Sequence, residues 1–396
     1  MTRPDNGDAR PRPLVYLIAG EPSGDRLGAR LMAALKDQSG SGIAFRGIGG
    51  VHMGAEGLQS RVPIAELSVM GLAEVLPRLP ALLRRIRETA DDILAARPDV
   101  LVTIDVPDFC LRIAKRLRGQ GIPLVHYVAP SVWAWKPGRA RKMAGYLDHV
   151  LTLLPFEPPY FTKHGLAATF VGHPVLESGA GDGDGKSFRM RHKIPPDAIL
   201  LCLLPGSRTG EVRRLMPIFK EVMANIAPDH PGLVSIMPTV EHVSQYLRSE
   251  ISHWPQPPLI VTGEAEKFDG FAASDAALAA SGTVALELAA ARVPHVVAYR
   301  FNWLTNKLAH VLVKGEHVHL VNVALGEEAV PEFILENCRA YPIASAVAAL
   351  LNGGDAAVRQ TQRFKAAMES LHPAALSPAA AAAKVVLDII AGSKTG

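Results

Sequence analysis

Two stretches of this 396-residue chain set small hydrogen-bonding residues where an apolar run gives way to a helical pattern. In the first, Leu201-Cys202-Leu203-Leu204 ends in Pro205-Gly206-Ser207-Arg208 and passes into an amphipathic, basic helix pattern. A buried strand that hands a short loop to a helix leaves unpaired backbone N–H groups at the positive end of the helix dipole, which favours an anion. Arg208 at the mouth adds a guanidinium able to grip phosphate oxygens in pairs. An ordinary turn with a solvated arginine has the same pattern. The second stretch, Ser281-Gly282-Thr283-Val284-Ala285-Leu286-Glu287, follows the apolar run 276–279. Its hydroxyls and N–H groups suit a diphosphate, with Glu287 about one turn in to accept ribose hydroxyls. Taken alone it reads better as an N-cap serine with an exposed carboxylate near the helix start. As a pair at equivalent strand tops of one domain, the two stretches favour a nucleotide diphosphate.

The first half carries different chemistry. Asp105-Val106-Pro107-Asp108-Phe109 follows the apolar run 100–104. Pro107 suits the first position of a helix, Asp108 its dipole-stabilised first turn, and either aspartate can face a cleft as a general base. His126-Tyr127-Val128-Ala129-Pro130-Ser131-Val132-Trp133-Ala134-Trp135 gathers aromatics at another strand end, as packing or as sugar and acyl contacts; His126 reads better as a core histidine than as a base. Residues 68–87 mix aliphatics with Arg78, Arg84, Arg85 and Arg87, a pattern for an anionic bilayer surface or for a core helix with a solvated basic face. Gly185-Lys186-Ser187 ends a loosened Walker pattern that follows no strand and holds two aspartates. Gly47-Ile48-Gly49-Gly50 lacks the full dinucleotide spacing.

Strand-length apolar runs that alternate with helix patterns must position these groups: 14–19, 100–104, 124–128, 150–153 and 169–171, then 199–204, 233–237, 259–261, 276–279 and 295–298. The fold class is α/β: two tandem Rossmann-like, doubly wound domains with a cleft between them and C-terminal helices. The expected division is a disordered leader 1–13, a domain 14–175, a Gly/Asp-rich linker or surface loop 176–195, a domain 196–365 and a helical segment 366–396. A net charge of +4 suits an anionic ligand or acidic membrane surface and is too weak to argue nucleic acid. Cys110, Cys202 and Cys338 are widely spaced, with no disulfide or metal pattern, and no stretch qualifies as a membrane span.

Taken together the motifs resemble the lipid A disaccharide synthases, inverting glycosyltransferases of the GT-B architecture. The resemblance is carried by Gly20-Glu21-Pro22-Ser23-Gly24-Asp25, Gly47-Ile48-Gly49-Gly50, Val69-Met70-Gly71, the Asp105 and His126 stretches, Leu154-Pro155-Phe156-Glu157, Val171-Gly172-His173-Pro174, Gly206-Ser207-Arg208, Ser281-Gly282-Thr283 and Val330-Pro331-Glu332, in one order. It implies transfer from UDP-2,3-diacylglucosamine to 2,3-diacylglucosamine 1-phosphate (lipid X), with release of UDP and no cofactor or metal. It carries the catalytic role to Asp108 with Asp105 and Asp99 in support, and UDP-sugar contacts to Gly206, Ser207, Arg208, Ser281, Gly282, Thr283, Glu287 and Asn322. It makes Ser23, Val69, Met70, Leu72, Val75, Leu76, Arg78 and Trp133 the acceptor and membrane surface. A peripheral place on the cytoplasmic face of a Gram-negative inner membrane follows, with a homodimer as a possible assembly. The chain departs from the family pattern at Val321, where Pro is usual, and at Leu335, where Gln is common. A UDP-sugar 2-epimerase and a non-catalytic nucleotide-sugar or lipid-binding protein are the rival readings.

Overall fold

The computed structural model describes residues 12–40, 42–67, 72–134, 136, 138–300, 317–373 and 375–393, and for Ala65 and residues 72–79 the backbone only. The chain forms two compact units. One takes the chain as far as Pro174 and again from Pro373 onward; the other is Val175–His372.

The first unit holds a parallel sheet of β1 (Leu14–Ala19), β2 (Ala44–Ile48), β3 (Val100–Ile104), β4 (Leu124–Tyr127), β5 (His149–Thr152) and β6 (Ala167–Phe170), in the order β2-β1-β3-β4-β5-β6. Its helices are α1 (Pro22–Ser39), α2 (Val51–Ala55), α3 (Leu72–Ala96), α4 (Pro107–Leu117), α5 (Gly138–Met143) and α6 (Pro158–Thr162). Every residue of β3 is buried, which is why it reads as an unbroken apolar run and not as an alternating one. One face packs Leu27, Leu31 and Leu35 of α1; the other packs Ile86 and Ile93 of α3 with Phe109 and Ile113 of α4.

The second unit repeats the plan with β7 (Leu200–Leu204), β8 (Val234–Thr239), β9 (Leu259–Thr262), β10 (Ala276–Ala280), β11 (His295–Tyr299) and β12 (Glu332–Ile334), in the order β12-β11-β10-β7-β8-β9. Around it lie α7 (Gly185–Arg191), α8 (Thr209–Ile226), α9 (Glu241–Ile251), α10 (Glu264–Ala273), α11 (Thr283–Ala290), α12 (Leu320–Leu325), α13 (Ala340–Leu351) and α14 (Asp355–Ser370). The two parallel, doubly wound sheets are those expected from the alternation of apolar runs.

The first unit gives way to the second at Pro174, beside the expected 175, while the later divisions differ. Residues 176–195 are no free linker: Phe188 of α7 is fully buried in the second core, and Arg191 pairs with Glu266 and Asp269 of α10. The helical end is divided as well. Helix α14 stays with the second unit, whereas α15 (Pro378–Ser393) belongs to the first, where Ala382, Ala383, Val386 and Ile390 pack in one cluster with Leu27 and Leu31. The small alanine side chains let α15 lie close against α1.

Candidate active site

In each unit the strand order reverses at one place, and there the candidate turns lie side by side. In the first sheet β1 and β3 are neighbours, with Ala19 beside Ile104, so Gly20-Glu21-Pro22-Ser23 and Asp105-Val106-Pro107-Asp108 leave adjacent strand ends. In the second, β7 and β10 are neighbours, with Leu204 beside Ala279, so Pro205-Gly206-Ser207-Arg208 and Ser281-Gly282-Thr283 do the same. Ligands of open parallel sheets bind outside the C-terminal strand ends at such switch points.

The first of these crevices has a strained backbone. Asp105 and Val106 both have positive φ (53° and 40°), and Val128 at the end of β4 has φ 74°. A β-branched residue in the left-handed region costs about 1–3 kcal/mol, a strain that persists where the surroundings hold it. Here Gly20 is part of that surrounding: a Cβ there would stand 2.9 Å from Val106 Cγ2. The kink turns the chain sharply into α4, with Pro107 opening the helix and Asp108 in its first turn.

The two aspartates differ. The Asp108 side chain is 92 % exposed, with Arg139 Nη2 3.5 Å from its Oδ1. Asp105 is half-buried; burial pushes its carboxyl up, partly offset by the nearby Val106 N–H. Asp99 does not join them. It precedes β3, at the opposite end of the strand, and its carboxylate accepts from the Leu14 N–H at 2.8 Å. Asp148 does the same for Leu124 and Asp275 for Leu200. The aspartate before a strand thus ties down the neighbouring strand's first N–H in three places, and the structure places Asp99 apart from Asp105 and Asp108.

His126 is fully buried on β4, its Nδ1 2.8 Å from Thr103 Oγ1, and burial drives it down to about 3, so it is neutral. The Trp133 indole N–H donates to Glu157 at 3.2 Å, and its ring meets Phe156 edge-on. Glu157 also accepts from the Leu153 and Leu154 N–H groups, while burial lifts its carboxyl to about 7. Trp133 is therefore anchored, with part of its surface still open. Asp25, buried within the Gly-Glu-Pro-Ser-Gly-Asp stretch, accepts from Gly50, His52 and Met53 N–H groups at 2.7–3.1 Å and caps α2. Ser23, in the first turn of α1, is exposed.

Of the expected membrane surface, Val69 and Met70 lie outside the described residues, as do the side chains of Leu72, Val75, Leu76 and Arg78. Further along α3, Leu83 is exposed beside Arg84 and Arg87. Among the described residues no helix is long and apolar enough to cross a membrane.

In the second unit, Gly206 has φ 119°, a conformation that favours glycine, and the Glu211 carboxylate lies where a Cβ would stand. Ser207 and Arg208 are exposed ahead of α8, as are Gly282 and Thr283 at the start of α11, with Ser281 half-buried. Glu287 is held by a cation unnoticed in the sequence: Lys267 Nζ of α10 lies 2.7 Å from its Oε2 and 4.4 Å from the Phe268 ring centroid. One Glu287 oxygen is thereby engaged and the side chain oriented.

Asn322 lies inside the second unit. It is fully buried: its Nδ2 donates to Val330 O and Glu332 Oε1, and its Oδ1 accepts from the Ala329 and Val330 N–H groups, all within 2.6–2.9 Å. With its amide engaged internally, it clamps the Val330-Pro331-Glu332 loop. Glu332 in turn accepts from the Val318 and His319 N–H groups. Leu335, the departure noted in that loop, takes φ 59°.

The model of the lipid-A-disaccharide synthetase family matches residues 15–386. The lipid-A-disaccharide synthase of Rhodospirillum centenum is 50% identical over 379 residues, covering 95% of this chain and 94% of that protein. The synthase of Paramagnetospirillum magneticum is 49% identical, over 96% of this chain and 98% of its own. Among solved structures, Staphylococcus aureus MnaA with UDP superposes with a TM-score of 0.65 at 10% identity, covering 97% of each chain. The glycotransferase of kitacinnamycin gives 0.62 at 14% identity, over 96% of this chain and 99% of its own. Those likenesses establish the two-domain GT-B fold, which epimerases and transferases share, whereas the sequence relatives span nearly the whole chain at high identity. This chain belongs to the lipid-A-disaccharide synthetase family.

Proposed function

We infer that the chain joins two acylated glucosamines, transferring 2,3-diacylglucosamine from its UDP derivative to the 6-hydroxyl of 2,3-diacylglucosamine 1-phosphate and releasing UDP. Beside family membership, the observation that carries this reading is the placement of both pairs of turns at the switch points of their sheets: an anion-binding pair in one unit, an acidic pair in the other. Asp108 takes the hydroxyl proton as the acceptor attacks the anomeric carbon opposite the leaving group. Its carboxylate is the open one of the pair, free to meet an acceptor hydroxyl, whereas Asp105 is half-buried. A single displacement inverts the anomeric centre and needs no enzyme nucleophile. Arg208, Ser281, Thr283 and the N–H groups ahead of α8 and α11 take up the charge that develops on the departing diphosphate. Glu287, braced by Lys267, receives the ribose. The lipid substrates are drawn from an anionic membrane surface, where exposed Leu83 among arginines offers a contact of the right chemistry. The test is UDP release with each lipid alone and with both. Release only with both supports transfer; conversion of the UDP-sugar without acceptor points to an epimerase, and UDP binding with no turnover to a binding protein.

A further inference from the structure

The anion-binding turn of the second unit already holds an anion. Glu211, third residue of α8, folds back over the loop, with its carboxylate packed against Gly206 and near the backbone N–H groups of Ser207 and Arg208. Gly206 leaves the space into which that carboxylate fits. The side chain is half-buried, and the charged or titratable groups facing it are Arg208, Arg214 and, from β11, Tyr299. The N–H groups that the donor reading assigns to a diphosphate thus already face a carboxylate, with the Arg208 charge close enough to be felt by it. We propose that Glu211 is a positioning residue that stands in for the donor diphosphate in the resting protein: it keeps the Gly206–Arg208 loop in its anion-accepting shape and withdraws from the Ser207 and Arg208 N–H groups when the nucleotide binds. This rests on the reading of that turn as the diphosphate site. Its consequence is a built-in competitor that weakens the grip on UDP and so speeds release of the leaving group. Burial raises the Glu211 carboxyl, so its protonation as pH falls relieves the same competition.

The test is the affinity for UDP, by calorimetry, of the full-length protein and of Glu211→Gln, over a range of pH. The amide keeps an oxygen for the two N–H groups and loses the charge. The expected result is binding about tenfold tighter in Glu211→Gln near neutral pH, with stronger product inhibition by UDP. That advantage should shrink as pH falls, because protonated wild type comes to resemble the variant; the nucleotide's own ionisation is common to both and cancels in the ratio. Unchanged or weaker binding by a folded Glu211→Gln, at an affinity ratio independent of pH, makes Glu211 a plain helix cap and overturns the proposal. Wild type that binds no UDP removes the donor-site reading itself, an outcome distinct from equal binding by both proteins.

Discussion

Two buried histidines should make the second unit sensitive to acid. The Val321 N–H donates to His319 Nδ1 at 3.0 Å, so the proton of neutral His319 sits on Nε2. That nitrogen faces His295 Nε2 at 3.0 Å, which must accept, and His295 Nδ1–H then donates to Val293 O at 2.8 Å. The chain of bonds admits only neutral rings; a proton added to either sets two N–H groups against each other. Gln360 brackets the His295 backbone, and the His295 ring stacks on Phe364 of α14. Burial pushes His295 down to about 4 and His319 well below its ordinary value. A folded histidine that resists protonation leaves the unfolded chain binding more protons below about pH 6.5, so stability is full above that pH and falls as pH drops towards about 4. For His295 alone the loss near pH 5 is about 2 kcal/mol, and His319 adds to it in the same direction. The assay is urea unfolding at about pH 7.5 and about pH 5 for wild type and for the double variant His295→Leu, His319→Leu. The variant leaves the Val321 N–H without its acceptor, a cost equal at both pH values. The other histidines lowered by burial, His126, His149 and His173, are common to both proteins, so the difference in pH dependence belongs to the pair. Wild type should lose at least about 2 kcal/mol more than the variant on acidification. Equal losses would refute the assignment of neutral, mutually bonded rings.

Replacing Asp108 with Ala should cut turnover by about 10²–10⁴-fold while UDP affinity, read by calorimetry, holds; a near-normal rate would remove it from the base role. Asn322→Ala should destabilise the protein by about 3 kcal/mol in chemical denaturation, because buried groups of the 329–330 loop lose their partners. UDP affinity of the folded Asn322→Ala protein should stay within about threefold, and a selective loss of affinity would make the residue a nucleotide contact. Val106→Asn, better suited to the left-handed region, should raise the melting temperature by about 2–4 °C, whereas a fall would mean that packing against Gly20 outweighs the strain.

The interior strands were legible because parallel strands covered on both faces read as short apolar runs: β1 and β3 have the ends read from the sequence, and the other core strands differ by a residue or two. The edge strand β12, Glu332-Phe333-Ile334, went unread because three residues with a carboxylate make no such run, and β2, holding Arg46 and Gly47, gave only a faint signal. The turns at the switch points were found because glycine, serine and proline punctuate strand ends. Their partners were not: Lys267 reaches Glu287 from another helix, and nothing in the local spacing of either announces the pair. Asn322 and Asp99 were assigned by motif, and only their hydrogen bonds reveal that each fastens the backbone. Glu211 drew no reading from the sequence, and its place over the anion turn follows only from the folded loop.

The most direct measurement is the product itself. Purified protein is incubated with UDP-2,3-diacylglucosamine and 2,3-diacylglucosamine 1-phosphate, UDP is quantified, and the lipid fraction is characterised by mass spectrometry and by the anomeric coupling of the new linkage. The account predicts one UDP per disaccharide 1-phosphate, with a β-1′,6 linkage formed by inversion. Retention at the anomeric carbon, or UDP release with no disaccharide, would contradict it.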